Sequence, residues 1–421
     1  VFLFISAFTL FILTLLTSLS EPSKTNLLFS LSSETSFAIS FVFYFAIVLA
    51  IIQVSKNENF TKNLSLLFTN VALCFYFIFY YQVLKADNFW YDLLPSLYSS
   101  LTSLWMYSLY FLGLFLHLYI KINYKRHRQE DYSLIFFLFP FIIPYLVVTF
   151  SIDFSFLINP NLSTYYLGFI VLGISIVSLI AFPYIIQKIW QTEPIQDPIL
   201  KDKFTAICHK CQFSHGGIKN WTIMKSGYTA AIVGLVSKFR YIIFTPRILK
   251  DFSHDELEAI LIHEIGHHHY RHLFYYPLIF LGLLIIFLLI SPFVDNFSIP
   301  NTLQLAIYIP LIVIYVRFIY GFFSRNFERQ ADSYIATIGY PVDHLITALD
   351  HVGKVTGNTH NHPNWHHYSI QERINFLNAI KENPKVIEQL NYKIKFALLI
   401  YLSVLILFLL LILWINNNNL L

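Results

Sequence analysis

About nine stretches of this chain are apolar for long enough to cross a bilayer as helices, each needing about 20 residues, and that pattern limits the fold before any motif is read. Six precede position 190, at roughly 1–19, 37–54, 63–84, 97–120, 132–152 and 165–187. Two more, 273–294 and 302–323, follow a polar segment, and a last run covers 396–415. The opening run from Val1 to Leu19 has no basic start and no small-residue cleavage site, so it reads as a spanning helix and not as a secretory signal.

Composition agrees: 56% of the residues are hydrophobic and only 12% charged, values outside the range of water-soluble domains. The formal net charge of +4 is small and gives no footprint for nucleic acid. Lys56 and Lys62, then Lys121, Lys125, Arg126 and Arg128, fall in loops that alternate with loops holding only Lys24, only Lys85 or no basic residue. The two long polar segments fall on the basic side, which predicts that they face the cytoplasm. Cys74, Cys208 and Cys211 offer no disulfide framework, and the lone C-x-x-C at 208–211 lacks the second pair of ligands that a zinc knuckle needs. The sequons at Asn161 and Asn296 are too short to carry an inference.

The polar segments hold the chemistry. Within Asp251–His272, His263, Glu264 and His267 spell H-E-x-x-H. Ser253 and Glu256 form a capping-box signature, and Leu257, Ile260, Leu261 and Ile265 recur at helical spacing, so the motif is predicted to lie in mid-helix. Residues four apart share a helix face, so both imidazoles can grip one zinc ion with Glu264 beside them as a base. His272 lies nine residues after His263, half a turn away, and cannot reach the same ion from that helix. Tyr270 and Leu273 occupy the positions where a metzincin has Gly and a third His, so the third ligand must come from elsewhere. After the apolar hairpin returns the chain to the same face, Glu328 and Asp332 stand four apart on a predicted helix ended by Gly339 and Pro341. Glu328 can complete the ligand set, and Asp332 can accept the free N–H of a ligating histidine.

In order and spacing these residues resemble the integral-membrane gluzincin metallopeptidase family, whose members include the type I CAAX prenyl proteases and the heat-shock membrane proteases. The resemblance covers Phe204 to Leu377: HEIGH, two spans, E-R-Q-A-D, and HHYSIQERI at 366–374. It implies that His263, His267 and Glu328 ligate one Zn2+ per chain, with Glu264 the catalytic carboxylate and Asp332 behind the ligands. It also makes His367 and Arg373 transition-state or substrate groups. TAAIVGLVSKFRYIIFT resembles the family's substrate-binding edge strand, with Thr229 and Ala230 where Asn-Ala is usual, and a strand at 240–245 is expected to pair with an extended substrate. Six spans before the site resemble the larger, prenyl-protease-like branch, while a ninth span after it departs from both branches.

The expected fold is thus mainly α: a polytopic membrane protein of about nine transmembrane helices with a zincin-type catalytic domain containing a short β edge. The expected divisions are a six-helix membrane domain at 1–190, a cytoplasmic segment with the zinc helix at 191–272, a transmembrane hairpin at 273–324, a cytoplasmic segment with the third ligand at 325–395 and a C-terminal transmembrane helix at 396–421. The expected activity is zinc-dependent hydrolysis of peptide bonds in membrane proteins or lipidated, including prenylated, peptides. Membrane lipid is the other expected partner, in either a plasma (inner) membrane or the endoplasmic reticulum. A zinc-binding membrane sensor or transporter is the competing class. It would not need Glu264, and a transporter would place more ionisable groups inside its spans than His117 and Arg317.

Overall fold

The computed structural model describes residues 6–7, 9–10, 13–14, 31–57, 60–124, 133–224, 227–296, 301–362 and 368–417. The chain forms two compact units, Val1–Trp190 and Gln191–Leu421.

The first unit is helical: α1 (Ser33–Lys56), α2 (Lys62–Ile78), α3 (Tyr98–Tyr124), α4 (Ser133–Ile158) and α5 (Thr164–Ile189). Ser32 accepts a hydrogen bond from Thr35 N to start α1, and Thr61 accepts one from Leu64 N to start α2. Tyr76, Tyr80, Tyr81, Tyr107 and Tyr110 are fully buried. Buried tyrosine hydroxyls here can reach polar partners: Tyr110 Oη donates to Asn70 Oδ1 at 2.9 Å, and the likewise buried Tyr44 donates from Oη to Leu109 O at 2.7 Å. His117 Nδ1 lies 2.8 Å from Ser55 Oγ and 3.1 Å from Thr69 Oγ1.

The second unit carries a small sheet packed among helices. Strands β1 (Thr192–Pro194), β2 (Gly217–Trp221), β3 (Ala230–Val233) and β4 (Tyr241–Phe244) lie in the order β1-β2-β4-β3. The β2 and β4 strands are parallel, and the outer two pairs are antiparallel. This corrects the expectation for 240–245. Those residues form an interior strand with Tyr241 to Phe244 all buried, and both of its edges are already paired. The edge strands are β1 and β3. An unbroken apolar run such as YIIF is the pattern of a strand covered on both faces.

Helix α6 (Pro198–Lys210) is capped by Asp197, whose Oδ1 accepts from Ile199 N and Leu200 N. The motif helix α7 (His254–His269) starts on the expected capping box, with Ser253 N donating to Glu256 Oε2 at 2.8 Å and Glu256 N to Ser253 Oγ at 3.3 Å. Next come α8 (His272–Asn296), α9 (Asn301–Tyr315), a π-turn at Val316–Tyr320 and α10 (Gly321–Thr337), then α11 (Val342–Val355), α12 (Ile370–Glu382) and α13 (Lys385–Asn417). One core joins Phe204 of α6, Phe244 of β4, Leu261 and Ile265 of α7, Ile335 of α10, Leu345 of α11 and Leu377 of α12. Burial of this apolar surface is the main force holding α7 in place.

Eight helices among the described residues are long and apolar enough to cross a membrane: Ser33–Lys56, Asn63–Val83, Pro95–Asn123, Leu134–Ile158, Tyr166–Ile189, His272–Ile290, Ala306–Thr337 and Lys385–Trp414. They match the second to ninth expected runs, and the protein is a polytopic membrane protein. Most of the first run, 1–19, lies outside the described residues. The fourth of these helices outruns its expected end at 152 and buries Asp153, an ionisable group that the apolar pattern did not place inside a span.

Candidate metal centre

Two helices build the site. Gly266 of α7, between Glu264 and His267, is why they can approach: a Cβ there would stand 2.9 Å from Ala331 O and 3.0 Å from Tyr334 Cβ on α10. The HExxH face therefore lies directly against the face of α10 that carries Glu328 and Asp332, which the i, i+4 spacing aligns.

His263 Nε2 and His267 Nε2 are 3.3 Å apart. Glu328 Oε2 lies 3.7 Å from the first, and Glu328 Oε1 lies 3.4 Å from the second. Two Zn–N bonds of about 2.05 Å at the tetrahedral angle would separate their nitrogens by about 3.3 Å, so this spacing suits a single tetrahedral ion. The three residues form the metal-capable group found among the described residues. His263, Glu264, His267 and Glu328 are all buried. Burial alone would lower the pKa of His267; the adjoining Glu328, helped by Glu264 and Asp332, outweighs it and holds the imidazole above its usual range. The pocket thus favours a positive charge where a cation would sit.

Behind His263, its Nδ1 lies 2.9 Å from Asp332 Oδ1, within ion-pair reach, although the geometry leaves that nitrogen without a formal hydrogen-bond partner. Asp332 is fully buried and is gripped by Arg373, with Nε donating to Oδ2 at 2.9 Å and Nη2 to Oδ1 at 2.6 Å. Arg373 Nη2 also lies 3.7 Å from Glu328 Oε2. Burial works against the guanidinium charge, but the Asp332 carboxylate outweighs it and raises the pKa. The start of α12 fixes Arg373 in place. Ser369 N donates to Glu372 Oε2 at 2.8 Å and Glu372 N to Ser369 Oγ at 3.2 Å, a second capping box that the letters S-I-Q-E spell in the sequence.

The expected site residues are therefore brought together in part. His263, Glu264, His267, Glu328, Asp332 and Arg373 converge, with Arg373 engaged by carboxylates. Thr229 and Ala230 lie at the start of the edge strand β3, where Thr229 N donates to Thr245 Oγ1 at 3.2 Å and Ala230 pairs with Phe244. His367 lies outside the described residues. His272 does not face the ligand point, but its Nδ1 meets His267 Nδ1 at 3.0 Å.

Comparison with known proteins agrees with this geometry. Fold and site together define a membrane metallopeptidase. Residues 194–381 match the model of Peptidase family M48, a stretch that contains the whole cluster, in line with the sequence resemblance. The crystal structure of S. mikatae Ste24p shares the fold, with a TM-score of 0.54 at 20% sequence identity, covering 89% of this chain and 98% of that chain. No curated protein matches the sequence.

Proposed function

We propose that this protein is a zinc endopeptidase that cleaves peptide bonds in membrane proteins or lipidated peptides, prenylated ones included. The observation that carries the proposal is the buried triangle of His263, His267 and Glu328 at tetrahedral spacing, with Glu264 on the same helix. The residues present fit zinc: two imidazoles and one carboxylate, a donor set that leaves a fourth position open. A zinc ion held there would lower the pKa of a water molecule toward about 7 and polarise a carbonyl oxygen.

The chain's own groups do the rest. His263, His267 and Glu328 would hold the ion, and Asp332, itself held by Arg373, orients the His263 ring. Glu264 is not needed as a ligand and takes the proton released as water attacks the scissile carbonyl, then delivers it to the leaving amine. His367 donates to the developing oxyanion. Thr229, Ala230 and the free side of β3 bind an extended substrate by strand addition, a mode for which an unpaired strand edge is suited. The site faces the cytoplasm, on the basic side of the loops.

The test is Glu264→Gln in the full-length protein. Zinc content should remain about one per chain while turnover of membrane and prenylated peptides falls about 10²- to 10⁴-fold, the usual contribution of a positioned base. Undiminished turnover in this variant would rule out the mechanism. Parallel substrates with and without the prenyl group decide whether lipid is read.

A further inference from the structure

The two histidines of the motif are supported in different ways. His263 backs onto a carboxylate. His267 backs onto a run of neutral groups that leads to the C-terminal helix. His267 Nδ1 lies 3.0 Å from His272 Nδ1, His272 Nε2 lies 3.1 Å from Gln330 Oε1, and Gln330 Nε2 donates to Asn391 Oδ1 at 2.7 Å. The four side chains come from α7, α8, α10 and α13.

Proton positions along this run are forced once His267 gives its Nε2 lone pair to the site. Its N–H must then be on Nδ1, where it donates to His272 Nδ1. An accepting Nδ1 puts the His272 proton on Nε2, and that N–H needs the Gln330 oxygen. With its oxygen so used, Gln330 turns its NH2 to Asn391 Oδ1, as observed. Each link works in only one direction. The His272 ring cannot tilt to relax the run, because it is fully buried and stacked on Phe327, with centroids 4.3 Å apart and planes at 12°. Gln330 is two positions from Glu328, so it points to the opposite side of α10 and contacts the His267 support without entering the ligand triangle.

We infer that His272, Gln330 and Asn391 are positioning residues that fix the tautomer and ring orientation of His267, so that the helix following the site helps set its metal affinity. The inference rests on the zinc reading above. Partners behind a ligating histidine commonly influence metal affinity by 10- to 100-fold. The same helix is tied to the hairpin at a second place, where Tyr401 Oη donates to Ile279 O at 3.0 Å and lies 2.8 Å from Tyr315 Oη. Asn391 is therefore presented by a helix that is itself anchored.

The experiment is zinc competition with a chelator on the full-length protein, alongside thermal melting. Gln330→Leu should weaken zinc about 10- to 100-fold, and Gln330→Glu, which keeps an acceptor for His272, should stay within about 3-fold of the parent. Asn391→Leu should weaken zinc about 2- to 10-fold, with Asn391→Asp near the parent because it still accepts from Gln330. Parent-like zinc affinity in both leucine variants would overturn the inference while leaving the zinc site standing. An equal loss in Gln330→Leu and Gln330→Glu, tracking a loss in melting temperature, would also overturn it by showing a packing role only. A parent protein that binds no zinc would instead overturn the proposed function, and this inference with it. The two Asn391 variants, at a half-buried position, keep the test decisive where a Gln330 variant fails to fold.

Discussion

In the unit that ends at Trp190, Asp153 Oδ2 accepts from Ser100 N and Ser100 Oγ, both at 2.7 Å, and Asp87 Oδ2 accepts from Tyr98 Oη at 2.5 Å. In the unit that begins at Gln191, Asp332 takes two bonds from a guanidinium and stands against an imidazole, while Glu328 faces two imidazoles. All four carboxylates are buried. The hydrogen bonds named for the first pair come from neutral donors, which tie one stretch of helix to another. The second pair lies among cationic and ligand-type groups that converge on one point. Burial of a carboxylate is therefore not by itself a sign of a functional site. What its partners are, and whether they still leave donor atoms aimed at a common centre, separates the two cases.

The comparison can be broken most directly at Glu328. Glu328→Ala removes one of three proposed ligands, so zinc affinity and peptidase activity should fall together by more than about 100-fold, read by metal analysis and turnover. Retained metal would place Glu328 with the structural carboxylates instead. Asp332→Asn comes next. It removes the charge that takes both Arg373 hydrogen bonds, leaving only Glu328 at 3.7 Å, and should cost about 3 kcal/mol in the metal-free protein, measured as thermal unfolding in detergent. A loss no larger than that of Asp153→Asn would mean that Asp332 is held no differently from the carboxylates of the first unit.

Asp87 gives a pH test. Burial raises its pKa from 3.8 to about 6, only partly offset by the Tyr98 hydrogen bond. The folded state then holds a proton that the unfolded state has released, so this stabilisation is complete below about pH 4 and is lost as pH rises through about 6. Asp87→Asn should remove that fall and gain about 2–3 kcal/mol over the parent above pH 6, seen as a flatter profile of melting temperature against pH. The smallest change expected is that of Asp153→Asn. The amide oxygen can still accept from Ser100, so about 1 kcal/mol is lost, and a larger loss would mean that the carboxylate's charge matters there.

Much of this was legible in the sequence where one local period decides the outcome. The H-E-x-x-H face, the Ser253 cap and the spans from the second onward follow from spacing and run length within a single helix. Glu328 was reachable because its distance from the motif is set by a hairpin whose spans can be counted. The engagement of Arg373 by Asp332 was not, since it depends on how α12 leans on α10 across 41 positions of sequence, and no period links the two. Gln330 and Asn391 were missed for the same reason: amides on separate helices, with no charge or ligand chemistry to mark them. The misplaced strand edge has a different origin. A parallel β2–β4 pair puts the later strand inside the sheet, and sequence order alone suggests the opposite.

The spacing of the ligands also has a consequence for the order of synthesis. Sixty-five positions separate His263 from Glu328, and the apolar helices α8 and α9 lie between them. At about 5–20 residues per second, the motif helix leaves the ribosome several seconds before its third ligand, and before the Arg373 that neutralises Asp332. On the proposed function, the nascent chain would carry two ligands and a base in that interval but no complete centre, and hydrolytic competence would have to wait for the chain between them. On that reading, a chain stalled before Glu328 would hold the motif without the means to cut its neighbours.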